Sequence, residues 1–153
     1  MEKLNVTQEI NRALHQVFPP GAYRSIQVST DYSENLPPLL MQSKHFSEIL
    51  VNLLQNAREM LPNGGRIKVT AEAEDETVRI VVEDDGPGVP PEKSQKIFDP
   101  YFSTKEHGTG LGLAIVRHNT EIYDGRVRVE SELGQGARFI LELPTRTFMK
   151  IRQ

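Results

Sequence analysis

Three short stretches carry side chains whose types and spacing could do chemistry together. Val78, Ile80, Val81 and Val82 form a β-branched run that ends in Glu83-Asp84-Asp85-Gly86-Pro87-Gly88-Val89. That pattern predicts a buried strand broken by a tight turn. Asp84, at the strand end, can accept a hydrogen bond from an exocyclic amine, and the glycines beside it let a flat ring approach the backbone. The second stretch holds Asn52 and Asn56, which a helix would stack on one side. The third, Gly108-Thr109-Gly110-Leu111-Gly112-Leu113, runs straight into an apolar segment. A loop of this kind feeding a helix N-terminus offers unpaired N–H groups and a positive dipole end to a phosphate. Taken singly, the first stretch also reads as an ordinary turn and the second as ordinary polar helix residues. The glycine run has neither the preceding strand and spacing of a dinucleotide fingerprint nor the Gly-Lys-Ser/Thr of a P-loop.

These groups need elements to hold them. The strongest helix starts at Ser43, a good N-cap, and carries Phe46, Ile49, Leu50, Leu53, Leu54, Ala57, Met60 and Leu61 at i, i+3, i+4 spacing. At about 100° per residue the two asparagines fall beside that stripe, where half-buried amides need partners. Pro62-Asn63-Gly64-Gly65 stops the helix. Upstream, residues 3–17 have partly helical spacing and end at Phe18-Pro19-Pro20-Gly21. Residues 25–32 alternate as a half-buried strand, and 39–41 read as a short edge strand. Residues 66–73 and 77–83 form a hairpin, and Pro91 opens a short helix to Lys96. The aromatic stretch 96–105 looks too short and irregular for core. A helix continues from the glycine run to about Tyr123, and 126–131 with 136–143 close the fold as a second hairpin. The order of elements implies an α/β two-layer sandwich, a mixed sheet with helices on one face.

Composition bounds the rest. With 153 residues the chain reads as one domain, its core at about 22–144, a helical segment at about 3–18 and a basic tail at 145–153. The net charge of −3 argues against a nucleic-acid surface. The absence of cysteine excludes disulfides and thiolate metal sites. No apolar run approaches membrane-spanning length and no signal peptide opens the chain, so a cytoplasmic domain without membrane contact is expected, whether its parent is soluble or membrane-anchored.

In order and spacing the motifs resemble the GHKL (Bergerat-fold) ATP-binding superfamily, over roughly residues 40–144. Asn52-Leu53-Leu54-Gln55-Asn56-Ala57 looks like its N box and Asp84-Asp85-Gly86-Pro87-Gly88 like its G1 box. Phe98-Asp99-Pro100-Tyr101-Phe102-Ser103-Thr104-Lys105 looks like the F box and Gly108-Thr109-Gly110-Leu111-Gly112-Leu113 like the G2 box. Jointly they are similar to the catalytic domain of two-component sensor histidine kinases. The resemblance implies ATP and Mg²⁺ as ligands. Asp84 would take the adenine amino group, with Gly86 and Gly88 admitting the base. Asn56 would bind Mg²⁺ through its amide oxygen. Thr104, Lys105, Gly108, Thr109, Gly110, Leu111, Gly112 and Leu113 would line the triphosphate as a lid, anchored by Phe98 and Phe102 and ordered by nucleotide. Lys105 would touch the γ-phosphate. Asn52 stands where the family's ATPases carry a glutamate base. An amide cannot accept a proton at neutral pH, so the resemblance implies transfer to a protein rather than to water.

Two departures stand out. Many family members carry Lys or His where this chain has Glu59, and Ala137 replaces the threonine of a Gly-x-Gly-Thr hairpin. Arg58 lies about 160° away from Asn56 around the helix and takes no phosphate role. His15, His45, His107 and His118 lack the acid-rich helical setting of the family's phosphoacceptor. The expected acceptor is therefore a histidine on a separate dimerisation domain, with a response-regulator receiver domain downstream. The rivals are a serine kinase of the anti-sigma type and a non-catalytic nucleotide-binding module.

Overall fold

The computed structural model describes residues 1–102 and 110–146. Its element order is β1 (Glu2–Leu4), α1 (Val6–Val17), β2 (Ile26–Tyr32), β3 (Leu39–Met41), α2 (Ser43–Glu59), β4 (Gly65–Glu74), β5 (Thr77–Asp84), α3 (Gly112–Ile122), β6 (Arg126–Ser131) and β7 (Ala137–Pro144). The main sheet has the strand order β2-β4-β5-β7-β6. Only β2 and β4 run parallel; the other neighbours are antiparallel. The sheet is therefore mixed, as the pattern predicts.

Strand alternation divides its faces. Ile67, Val69 and Ala71 of β4, Val78, Ile80 and Val82 of β5, and Phe139, Leu141 and Leu143 of β7 are all buried. They join Phe46, Ile49, Leu50, Leu53 and Leu54 of α2 in one cluster, so hydrophobic burial glues helices to a single face. The other face carries ion pairs, among them Arg79–Glu142 at 3.0 Å and Arg138–Glu83 at 3.1 Å. α1 adds Val6, Ile10, Ala13 and Val17 to the same core and packs on α2, which in turn packs on α3.

Several local expectations need correction. The helix expected over 3–17 starts only at Val6, because Asn5 is extended (φ −78, ψ 112) and its side chain accepts from the Gln8 N–H. The residues before that cap pair antiparallel with β3 as a two-stranded ribbon. Ser43 is not the cap of α2: Gln42 holds that position and gives no side-chain cap. Glu2 Oε2 accepts from the Ser43 N–H at 3.2 Å and the Tyr123 hydroxyl from the Gln42 N–H at 3.1 Å. Groups distant in sequence thus satisfy the donors that a local cap would take. The helix expected from Pro91 is two 3₁₀ turns, Pro91–Lys93 and Lys96–Phe98. The second reaches the core after all, with Ile97 and Phe98 buried.

Candidate functional site

Helix α2 is the spine of the site. Asn52, Asn56 and Glu59 lie on one side of it and line a cavity of about 810 Å³ closed by the turn after β5 and the start of α3. That volume suits a small organic ligand. Asn56 is only 7 % exposed. Asn52 is half-buried, and its Nδ2 donates to the Glu48 carbonyl one turn back at 2.8 Å. Its Oδ1 faces α3: a β-carbon added at Gly112 would lie 2.9 Å from it. Glycine is thus what lets the first turn of α3 come this close. Leu111 holds the cap position of α3 and gives no side-chain cap, and residues Gly110 to Leu113 line the cavity. A helix N-terminus is therefore aimed into the space above Asn52, a geometry suited to an anion.

Asp84 marks the opposite end. It ends β5 on the helix-facing side, 3 % exposed. Its Oδ1 accepts from the Gly86 N–H at 2.9 Å, whereas its buried Oδ2 has no hydrogen-bond partner among the described residues. Burial pushes the Asp84 carboxyl above its ordinary value; the Gly86 and Ala137 backbone groups oppose that rise, and Asp85 and Glu83 add to it. A buried polar atom left without a partner costs stability, so this oxygen is kept at a price that a bound donor would remove.

The structure places Asp84 less simply than the motif implies. The carboxylate does not itself line the large cavity, though Gly88 and Ala137 do. Asp84 lines a second, more open pocket of about 530 Å³ that also includes Ala137. Ala137, which lines both spaces, is paired with Asp84 in register on the neighbouring strand. The Asp84 turn presses on the end of α2: a β-carbon at Gly86 would lie 2.8 Å from the Met60 carbonyl oxygen and 3.0 Å from Asp84 Oδ1. Gly88 has φ +80. Packing of the protein on itself thus demands both glycines before any ligand is considered. From Asn52 to Met60 the helix rises about 12 Å, which sets the span of the site.

Phe102 lines the cavity, and Phe98 stands behind it, edge-on to Phe139 with ring centroids 6.0 Å apart. Thr104, Lys105, Gly108 and Thr109 lie outside the described residues. Sequence reasoning missed the apolar wall formed by Met60, Val89, Ile97 and Phe139, and also missed Lys93. Met60 was legible only as part of a core stripe, and nothing local distinguishes a cavity-facing Phe139 from a core one. Arg58 is turned away: it donates to the Val17 carbonyl at 2.8 Å and stacks 4.5 Å over the Tyr23 ring. Behind Asn52, the buried Asn119 of α3 donates to Glu48 Oε1 at 2.9 Å, tying the two helices that frame the cavity.

The mixed sheet with helices on one face, the asparagine pair and the glycine-started helix define a histidine-kinase type of ATPase domain. The chain belongs to the family of histidine kinase-, DNA gyrase B-, and HSP90-like ATPases, whose model matches residues 41–147. It is 36 % identical over 144 residues to the sensor histidine kinase ZraS of Escherichia coli O157:H7, covering 94 % of this chain and 31 % of that protein. Among solved structures it superposes on the catalytic domain of histidine kinase ThkA with a TM-score of 0.85 at 32 % identity, covering 95 % of this chain and 97 % of that one. ShkA, solved full-length in complex with AMPPNP, matches with a TM-score of 0.85 at 33 % identity over 96 % of this chain and 31 % of its own. The chain spans about a third of ZraS and of ShkA. Among the described residues no helix is long and apolar enough to cross a membrane.

Proposed function

We propose that the chain binds Mg-ATP between α2 and α3 and passes the γ-phosphate to a histidine on a dimerisation domain, from which a response-regulator receiver domain takes it. The observation that carries this reading is the buried Asp84 Oδ2, which has no hydrogen-bond partner among the described residues. It accepts the adenine amino group at the Met60 end of α2, which places the phosphates toward Asn52 and the N-terminus of α3.

The residues present fit the metal as well as the base. Asn56 is a hard oxygen donor in the middle of the span, and no group of three His, Cys, Asp or Glu side chains forms among the described residues. A cation here is therefore held by few protein groups and by the phosphates themselves, the usual arrangement for Mg²⁺. When bound, Mg²⁺ would supply the positive charge that offsets the phosphates, with Asn56 as the residue that would hold it. Asn52 orients the terminal phosphate without activating water: one N–H of its Nδ2 donates to the Glu48 carbonyl, the amide has a second to offer, and an amide is no base. The first turn of α3 supplies N–H donors and its dipole. Positioning and charge neutralisation suffice for phosphoryl transfer. His45 is held at 2.6 Å by the Tyr123 hydroxyl, which supports an acceptor on another domain.

The test is transfer of label from γ-labelled ATP to a separately supplied dimerisation domain. The expected product is a phosphoramidate, labile in acid and stable in base, with little hydrolysis by the chain alone. An acid-stable label would point to the serine-kinase rival, and brisk hydrolysis to an ATPase.

A further inference from the structure

We infer that Glu59 is a second protein ligand of the divalent cation, making nucleotide binding selective for the metal complex over free nucleotide. This rests on the reading of the cavity as a Mg-ATP site. Glu59 ends α2, is exposed, and lines the cavity three residues beyond Asn56. Residues at i and i+3 on a helix bring their β-carbons within about 5–6 Å of each other. Helical side chains lean toward the helix N-terminus, so Glu59 leans from the Met60 end toward Asn56. A cation bonded to the Asn56 amide oxygen at about 2.0–2.1 Å therefore falls within reach of the Glu59 carboxylate, an equally hard donor.

Charge points the same way. Among the described residues lining the cavity, Glu59 is the one acid and Lys93 the one base. A carboxylate at this level repels a bare triphosphate, and a cation between the two turns that repulsion into attraction. A basic residue in the same place would instead attract the phosphates directly, with or without metal. The acid thus exchanges affinity for free nucleotide for affinity that depends on metal.

The experiment is calorimetry of ATP and of 2′-deoxyATP binding, in Mg²⁺ and in EDTA, for the wild-type chain, Glu59→Gln and Glu59→Lys. Because Glu59 is exposed at a helix end, both variants should fold, which circular dichroism checks. The ratio of ATP affinity in Mg²⁺ to that in EDTA should fall about tenfold in Glu59→Gln, the scale of losing one metal-site interaction. It should fall further in Glu59→Lys, with affinity in EDTA rising above that of the wild type. An unchanged ratio in both variants overturns the inference. So does a loss seen with ATP but not with 2′-deoxyATP, which would put the carboxylate on the ribose. A wild-type chain that binds ATP in neither buffer would sink the proposed function itself, whereas tight binding with an unaltered ratio removes this inference alone.

Discussion

Replacing Asp84 by Asn should weaken ATP binding and, without nucleotide, stabilise the protein. Oδ1 of Asp84 is held by the Gly86 N–H at 2.9 Å, and the buried Oδ2 has no hydrogen-bond partner among the described residues, the nearby Ala137 backbone group only tempering its burial. An asparagine can keep its oxygen on Gly86 and point an NH₂ at the adenine amine, or turn over and point it at the Gly86 N–H. Either way one donor meets another. A polar group left unmatched in a buried site costs about 1–3 kcal/mol, so affinity should drop roughly ten- to hundredfold. The stability effect has the opposite sign. Because burial raises the Asp84 carboxyl above its ordinary value, the folded state holds this proton at a pH where the unfolded chain has released it. The stability it contributes is full below the unfolded value and is lost as pH rises through the folded one. A neutral amide removes that loss. At neutral pH the nucleotide-free variant should therefore melt higher, by about 2–4 °C for each kcal/mol regained in a chain of this size. Below the unfolded carboxyl's range the difference should shrink. Calorimetric titration with ATP and thermal melts across pH measure both arms. Unchanged affinity would remove Asp84 from the base site, and a variant that melts lower at neutral pH would refute the account of its burial.

The other predictions concern the spine and the anchor of the site. Asn56→Ala should abolish the Mg²⁺-dependent part of ATP binding, whereas Asn52→Ala should slow phosphate transfer far more than it weakens binding; similar behaviour in both assays would end that division of labour. Phe98→Ala removes a buried ring packed edge-on to Phe139 and should cost about 3–5 kcal/mol by urea titration; a cost under about 1 kcal/mol would show that this stretch is not core.

The sequence by itself determined the main elements and singled out candidate residues for the site. The stripe from Phe46 to Leu61, the β-branched run into Asp84 and the two hairpins are local signals, and local periodicity is enough to read them. Asn52, Asn56 and Asp84 were legible because few side chains suit their proposed tasks and because their spacing follows the helix and the strand end. Tertiary structure alone decided how the ends of those elements are satisfied. The donors at the start of α2 are taken by Glu2 and Tyr123 rather than by a local cap, and Glu48 is matched by Asn119 from another helix. It also decided that Ile97 and Phe98, in a stretch with no usable period, reach the core. Above all it set the boundary of the cavity, putting Met60 and Phe139 on its wall and Asp84 on the neighbouring pocket that shares Ala137 with it. Periodicity reports which face of an element is apolar; which apolar atoms stay unpacked depends on how far apart α2, α3 and the sheet come to rest, and no segment encodes that distance alone.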